Sequence, residues 1–348
     1  MEQQNTYKKK DPTQIDALLA RLTKSMGKGT IFRQTEERVS AWPAISTTSL
    51  SLDHALGIGG VPQGRFVELL GMESSGKTTM ALHMIAEAQK LGATVAFVDA
   101  EHALDPNYAA ALGVDMDNML ISQPNTGEEA LNIVDELVRS QLIDLVVVDS
   151  VAALVPKAEL EGGMDEQQMG LQARLMSKAC RKLTPLAHKN NVTVLWINQY
   201  RSKIGVFFGS PHVGAGGNAL KYYCSVRMKV SRTKTEKTQG EATHNRTKVE
   251  IIKNKMAPPY KQAQFDIRFG VGIDQVGELI DIGVLHKIIR KAGPYFYLEA
   301  ENVKLGQGKT NSINFLKENP EIQTQLKTAV IDALYPQEED EEIMDGLE

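Results

Sequence analysis

The stretch GMESSGKT, residues 71–78, decides the fold, because it matches G-x-x-x-x-G-K-[ST] between two segments of different periodicity. RFVELLG (65–71) reads as a strand, and residues 76–91 carry apolar side chains at helical spacing. A strand–glycine loop–helix unit wraps backbone N–H groups around phosphates and aims a helix N-terminus at them. Lys77 is then the residue that meets the β- and γ-phosphates of ATP, and Thr78 offers a hydroxyl to Mg2+.

Outward from this loop, strands and helices alternate. TVAFVDA (94–100), NMLIS (118–122), LIDLVVVD (142–149) and VTVLWIN (192–198) read as strands, with helices near 107–112, 126–140 and 169–189 between them. The near-continuous apolar run of 142–149 suits a strand covered on both faces. The alternation predicts an α/β fold: a P-loop NTPase core whose central sheet is mostly parallel, with helices on both faces. YYCSVRMKVSR, KVEIIKNK and AQFDIRF follow without helices and predict antiparallel strands at the sheet's end. Asp11-Pro12 reads as an N-cap with proline at N1, followed by Ile15, Leu18, Leu19, Leu22 and Met26 and a stop at Gly27. A helix of that length is marginal alone and needs a docking partner, either its own core or a neighbouring subunit. From about Ile273, a helical segment, a Tyr-Phe-Tyr hairpin (294–297) and two helices predict a small α+β C-terminal domain. The expected division is 1–46, 47–272, 273–334 and an acidic, disordered tail, 335–348.

Three polar residues stand where predicted strands end. Asp149 closes LVVVD and suits a Mg2+ site, a role compatible with capping the next turn. Glu101, two residues past AFVD and beside His102, is the chosen base for activating water, with Asp99 and Asp105 as competitors. Gln199 ends WINQ, where an amide can touch a γ-phosphate and report on it to the loop that follows. Two loops break the alternation, at about 156–169 (PKAELEGGMDEQQ and Met169) and 200–217, where IGVFFG is flanked by basic and glycine residues. Loops beyond strand C-termini carry the site in open α/β sheets.

Composition narrows the setting. The 348 residues are 42% hydrophobic and 24% charged, an ordinary globular balance. No apolar run approaches the roughly 18 residues of a membrane span, and the absence of an apolar h-region near the start predicts a cytoplasmic protein with no secretory signal. Cys180 and Cys224, the only cysteines, lack metal-ligand spacing and are expected as buried thiols. The net charge of -4 conceals an uneven distribution: the last twelve residues hold seven carboxylates and no Lys or Arg, leaving +3 on the rest. Residues 221–261 hold eleven Lys or Arg against three Glu. A basic surface with an acidic tail fits a nucleic-acid binder whose tail competes for the same site, and equally a solvated face with a solubilising tail.

The segments STTSLSLDHALGIGGVPQGRFVELLGMESSGKTT, FVDAEHALDP, VVVDSVAALVPKAELEG, MGLQARLMSKACRKL, INQYRSKIGVFFG, GGNALKYY, KNK and GQGK resemble the bacterial RecA recombinase family over nearly the whole chain. The resemblance implies a DNA-dependent ATPase that forms a helical filament of its own copies on single-stranded DNA, captures double-stranded DNA and exchanges strands. It also implies stimulated self-cleavage of LexA-type repressors in the SOS response. It places ATP on Gly71, Met72, Glu73, Ser74, Ser75, Gly76, Lys77, Thr78 and Thr79, with Asp105 and Tyr108 at the adenine. It assigns Mg2+ to Thr78 and Asp149, catalysis to Glu101, γ-phosphate coupling to Gln199, and contacts with a neighbour's γ-phosphate to Lys253 and Lys255.

DNA contacts implied in the same way are Met169, Arg174, Ser177 and Arg181 near the first loop, and Arg201, Lys203, Ile204, Gly216, Gly217 and Asn218 around the second. Ile204 is the expected base-step wedge, with Phe207 and Phe208 ordering the loop. Lys287, Arg290, Lys291 and Lys309 are expected to meet duplex DNA. The chain departs from the family pattern at Met72, Phe269 and Tyr222, where proline, tyrosine and phenylalanine are usual. A hexameric helicase shares the nucleotide site but not the loops or GQGK. A small-molecule kinase predicts turnover indifferent to DNA, and a non-hydrolysing regulatory filament has no use for Glu101.

Overall fold

The computed structural model describes residues 11–27, 30, 31, 33, 42–163, 170–202, 212–238 and 241–336. Met169, Lys203, Ile204, Phe207, Phe208 and the acidic residues from 337 onward lie outside the described residues, and for Arg201 only the backbone is described. The segment up to residue 41 forms one compact unit and residues 42 onward another.

The first unit contains α1 (Pro12–Met26), capped by the Asp11 carboxylate on Thr13 N–H, with Pro12 in the first turn and Gly27 at the C-cap. None of its residues is buried. Arg33 folds back onto Asp16 at 3.0 Å and onto the Pro12 carbonyl.

The second unit begins with β1 (Ala44–Ile45), α2 (Leu50–Leu56), β2 (Val61–Pro62) and β3 (Phe66–Gly71). It continues through α3 (Lys77–Lys90), β4 (Val95–Asp99), α4 (Pro106–Ala111), β5 (Met119–Ser122), α5 (Gly127–Ser140) and β6 (Leu145–Asp149). Then come α6 (Lys157–Glu161), α7 (Leu171–Lys189), β7 (Thr193–Ser202), β8 (His212–Gly214), α8 (Ala219–Tyr223), β9 (Val226–Thr238), β10 (Glu241–Asn254), β11 (Gln262–Arg268) and β12 (Gly272–Ile273). The last part holds α9 (Gln275–Leu285), β13 (Ile289–Ala292), β14 (Tyr295–Leu298), β15 (Val303–Gln307), α10 (Gly308–Glu318) and α11 (Pro320–Leu334).

Among the described residues ten strands make the central sheet, in the order β12-β11-β10-β9-β3-β7-β6-β4-β5, with β8 paired to β7. Strands from β9 to β5 run parallel, and β10, β11 and β12 are added antiparallel. The central strands are buried on both faces because their alternation feeds two cores. Leu145, Val147, Leu195 and Ile197 pack with α3 residues such as Met80 and Met84. Val146, Val148, Val194 and Trp196 pack with Ala130 and Val134 of α5 and Leu183 of α7. Cys180 and Cys224 are buried in this second layer, where burial pushes the Cys180 thiol up to about 12. One difference from the sequence reading lies at the second loop: β7 continues to Ser202, and β8 pairs back on it through Tyr200↔Gly214 and Ser202↔His212, so the loop rises from a short antiparallel stem.

The last part surrounds a third core, which includes Leu279, Ile280, Ile289, Phe296, Leu316, Leu326 and Val330. Two polar joints fasten it to the sheet. The Glu278 carboxylate is buried against the start of α2, where it accepts the Ser49 hydroxyl at 2.5 Å, the Ser51 hydroxyl, and the Leu50 and Ser51 N–H groups at 3.2 and 3.1 Å. Arg246 and Lys309 both pair with Asp266 and Asp281, at 2.8–3.1 Å.

His83 of α3 is buried, and its Nε2 accepts the Ile273 N–H at 2.9 Å. Burial depresses its pKa from 6.5 to about 4. Between those values the unfolded chain takes up a proton that the folded one refuses. The neutral ring's stabilisation is therefore complete above pH 6.5 and is lost as pH falls towards 4. Relative to His83→Gln, the wild type is expected to lose about 3 kcal/mol across this window. Urea unfolding of both proteins at pH 4, 5.5 and 7 checks this; parallel pH profiles would contradict it.

Candidate nucleotide site and nucleic-acid loops

Three strand ends and Gln199 of β7 meet at the C-terminal edge of the sheet, the edge at which open α/β sheets hold ligands. β3 ends at Gly71, β4 at Asp99 and β6 at Asp149, and Gln199 of β7 lies directly beside Gly71 in the ladder. Gly71 is required there, because a Cβ would meet the Val230 carbonyl oxygen and lie 2.7 Å from Ser75 Oγ. Gly76 has φ +94° at the start of α3 and serves as its N-cap without any side-chain bond. The N–H groups of the loop and first turn are thereby left facing an anion site.

Lys77 is buried, with Nζ donating to the Met72 carbonyl at 2.8 Å. Burial lowers its pKa, against the pull of Asp149, Glu101 and Glu73. Thr78 Oγ1 donates to Asp149 Oδ2 at 2.7 Å. Burial pushes the Asp149 carboxyl up to about 6, helped by the neighbouring charge of Glu101 and opposed by the Thr78 hydroxyl. A buried carboxylate beside a hydroxyl oxygen is a donor pair suited to a hard divalent cation. Thr79 Oγ1 lies 3.1 Å from the Tyr108 hydroxyl, and Asp105 caps α4 by accepting the Asn107 and Tyr108 N–H groups. The P-loop helix and the Asp105–Tyr108 corner therefore form one wall.

The carboxylates that compete as bases have different partners. Asp99 braces the turn after β4, accepting Ala103 N–H on Oδ1, Leu104 N–H on Oδ2 and the Gln123 amide. Glu101 is exposed. Its N–H is held by the Asp149 carbonyl at 3.2 Å, and its Oε1 accepts both the Gln199 amide at 2.7 Å and the Ser150 hydroxyl. The geometry joins Glu101 to Gln199 directly, and adds Ser150, which the sequence reading did not single out.

Arg174, Ser177 and Arg181 recur along α7 at spacings that share one helix face, with both arginines exposed. Gln172, also missed, ties the bases of the two loops: its amide donates to the Val151 carbonyl at 2.9 Å and its Oε1 accepts the Gly216 N–H at 3.2 Å. Gly216 and Gly217 both have positive φ and sit so tightly on α7 that a Cβ would come within 2.9 Å of Met176 and Ala173 respectively. Asn218 precedes α8.

Several cations counted as a basic surface are engaged internally. Arg227 pairs with buried Glu68, and Lys253 Nζ donates to the Lys221 and Tyr222 carbonyls at 2.8 and 2.9 Å. Lys309 is held between Asp266 and Asp281, so its charge is balanced within the fold. Arg290 bonds Glu299 and Asn302 and lies over the Tyr297 ring; Lys291 lies over Phe296. Lys255 is exposed, and Lys287 has φ +61°.

Residues 13–274 match the RecA N-terminal domain and residues 277–335 the RecA C-terminal domain. Protein RecA of Acinetobacter baylyi is 53% identical over 327 residues, covering 94% of this chain and 93% of its own. Protein RecA of Streptomyces venezuelae is 53% identical over 320 residues, covering 92% and 84%. Protein RecA of a Methylobacterium species is 55% identical over 317 residues, covering 91% and 87%. With both domains matched in chain order and the likeness running through the P-loop and the strand ends around it, the chain belongs to the RecA family.

Proposed function

We propose how this RecA-family chain, a DNA-dependent ATPase and recombinase of DNA repair, uses its site. ATP lies with its phosphates on the loop from Gly71 to Thr79 and its adenine towards Asp105 and Tyr108. Lys77 leaves the Met72 carbonyl to pair with the phosphates. Thr78 and Asp149 would hold Mg2+, whose charge offsets that of the phosphates when it is bound. Glu101 accepts the proton of the attacking water. Gln199 exchanges Glu101 for the γ-phosphate and passes its presence up the β7–β8 stem into the second loop.

The observation that carries this reading is the convergence of P-loop, Asp149, Glu101 and Gln199, with Gln199 bonded to Glu101 at 2.7 Å. DNA contacts then fall to the exposed arginines of α7 and to the loop residues around Arg201, Lys203 and Ile204. Phosphate neutralisation and base wedging are the two general sources of single-strand affinity. Lys253 lies near the end of β10, opposite Arg227 of β9 in the ladder, and Lys255 directly follows the strand. They suit a neighbour's triphosphate in a helical filament of copies, on whose surface a LexA-type repressor would cleave itself. No helix among the described residues is long and apolar enough to cross a membrane. The C-terminal cations proposed for duplex DNA are Lys287, Arg290, Lys291 and Lys309, of which Arg290 is paired with Glu299 and Lys309 with Asp266 and Asp281.

ATP hydrolysis measured with and without single-stranded DNA tests the reading. Strong stimulation is expected, and Lys77→Ala is expected to abolish both turnover and nucleotide-driven filaments seen by electron microscopy. Turnover indifferent to DNA would leave the small-molecule kinase alternative.

A further inference from the structure

We propose that Ser150 is a positioning residue for ATP hydrolysis, setting the orientation of the Glu101 carboxylate; this rests on Glu101 being the base. Two donors reach Glu101 Oε1, and they differ in kind. Gln199 is half-buried on β7, beside Gly71 in the ladder and at the foot of the stem that carries the second loop. Ser150 has no exposed surface and directly follows the Asp149 strand end. Its hydroxyl donates to Glu101 and makes no capping bond to the short 3-10 turn it precedes, Val151–Ala153.

The backbone repeats the attachment. The Asp149 carbonyl accepts the N–H of both Ala100 and Glu101, at 2.7 and 3.2 Å. Main chain and side chain of Glu101 are thus referred to the same two residues, one of which is the carboxylate bonded to Thr78. With Oε1 engaged by Ser150, Oε2 is the oxygen turned to accept a proton, and its place relative to Asp149 does not depend on Gln199. When Gln199 leaves, Ser150 alone keeps an exposed carboxylate from rotating about its flexible side chain.

The test is a double-mutant cycle on ATP hydrolysis, with folding followed by thermal melting. Ser150→Ala is expected to lower kcat by about 10- to 100-fold, up to the cost of a misplaced reacting group, with KM for ATP within about twofold and the same fractional loss with or without single-stranded DNA. In a Glu101→Gln background, Ser150→Ala is expected to cause no further loss, because its effect passes through the missing base. Ser150→Cys, close in size but a weak donor, is expected to fall between wild type and alanine and serves if the alanine variant melts early. Unchanged kcat in both variants, or an equal loss in the Glu101→Gln background, would overturn the proposal. Near-wild-type turnover of Glu101→Gln alone would instead overturn the base assignment, so the two failures are separable.

Discussion

Glu101→Gln is expected to lower DNA-stimulated ATP turnover by about 10²–10⁴-fold, the usual contribution of a positioned base, while ATP and DNA binding are retained. Glutamine preserves the side chain's length and an oxygen for the Ser150 hydroxyl, so the turn after β4 keeps its shape. What it loses is the capacity to take a proton. Steady-state hydrolysis, combined with binding of a fluorescent nucleotide and of labelled single-stranded DNA, separates the two properties. Should turnover stay near wild type, the base must be another group. Asp99 is poorly placed for it, since both its oxygens already hold N–H groups of the turn.

The second large effect concerns stability. Glu68 lies in β3 with 1% of its side chain exposed, accepting from Arg227 and from the Asn198 amide at 2.8 Å. Arg227→Met leaves that carboxylate buried without its cation, at an expected cost of about 3–5 kcal/mol. Arg227→Met combined with Glu68→Gln removes the unpaired charge and is expected to recover most of the loss. Urea unfolding of the two single variants and the double variant measures the coupling, and additive losses would refute the pairing as its source. The site should feel the change too. Asn198 links Glu68 to the Ala215 carbonyl and to the N–H of Gln199, so loosening Glu68 loosens the stem beneath the second loop.

The alternation of strands and helices around residues 71–78 was legible because each periodic run is long and the P-loop fixes the chain direction. Asp149 and Glu101 were legible because strand ends are visible in sequence, and parallel strands bring their ends to one edge; Gln199, read as the end of its strand, lies within β7, which runs on to Ser202. Ser150 was not, since a single serine carries no periodic signal and its partner lies 49 residues away, in the turn after β4. Glu68 did leave a trace: a lone carboxylate inside RFVELLG must find a cation if the strand is covered on both faces. Following that trace would have removed Arg227 from the basic surplus of 221–261. Arg246 and Lys309 mislead in the same way, because sequence counts charges without showing which are already balanced.

The two joints of the C-terminal part respond differently to ionic strength. Arg246 and Lys309 meet Asp266 and Asp281 where all but Asp266 are about a third exposed, so added salt screens that cluster. Glu278 is buried among hydroxyl and amide donors, out of reach of counterions. Rising salt therefore slackens one fastening while the other stays closed. The stability that the C-terminal joint contributes is expected to fall only in part as ionic strength rises, because the buried fastening is not screened.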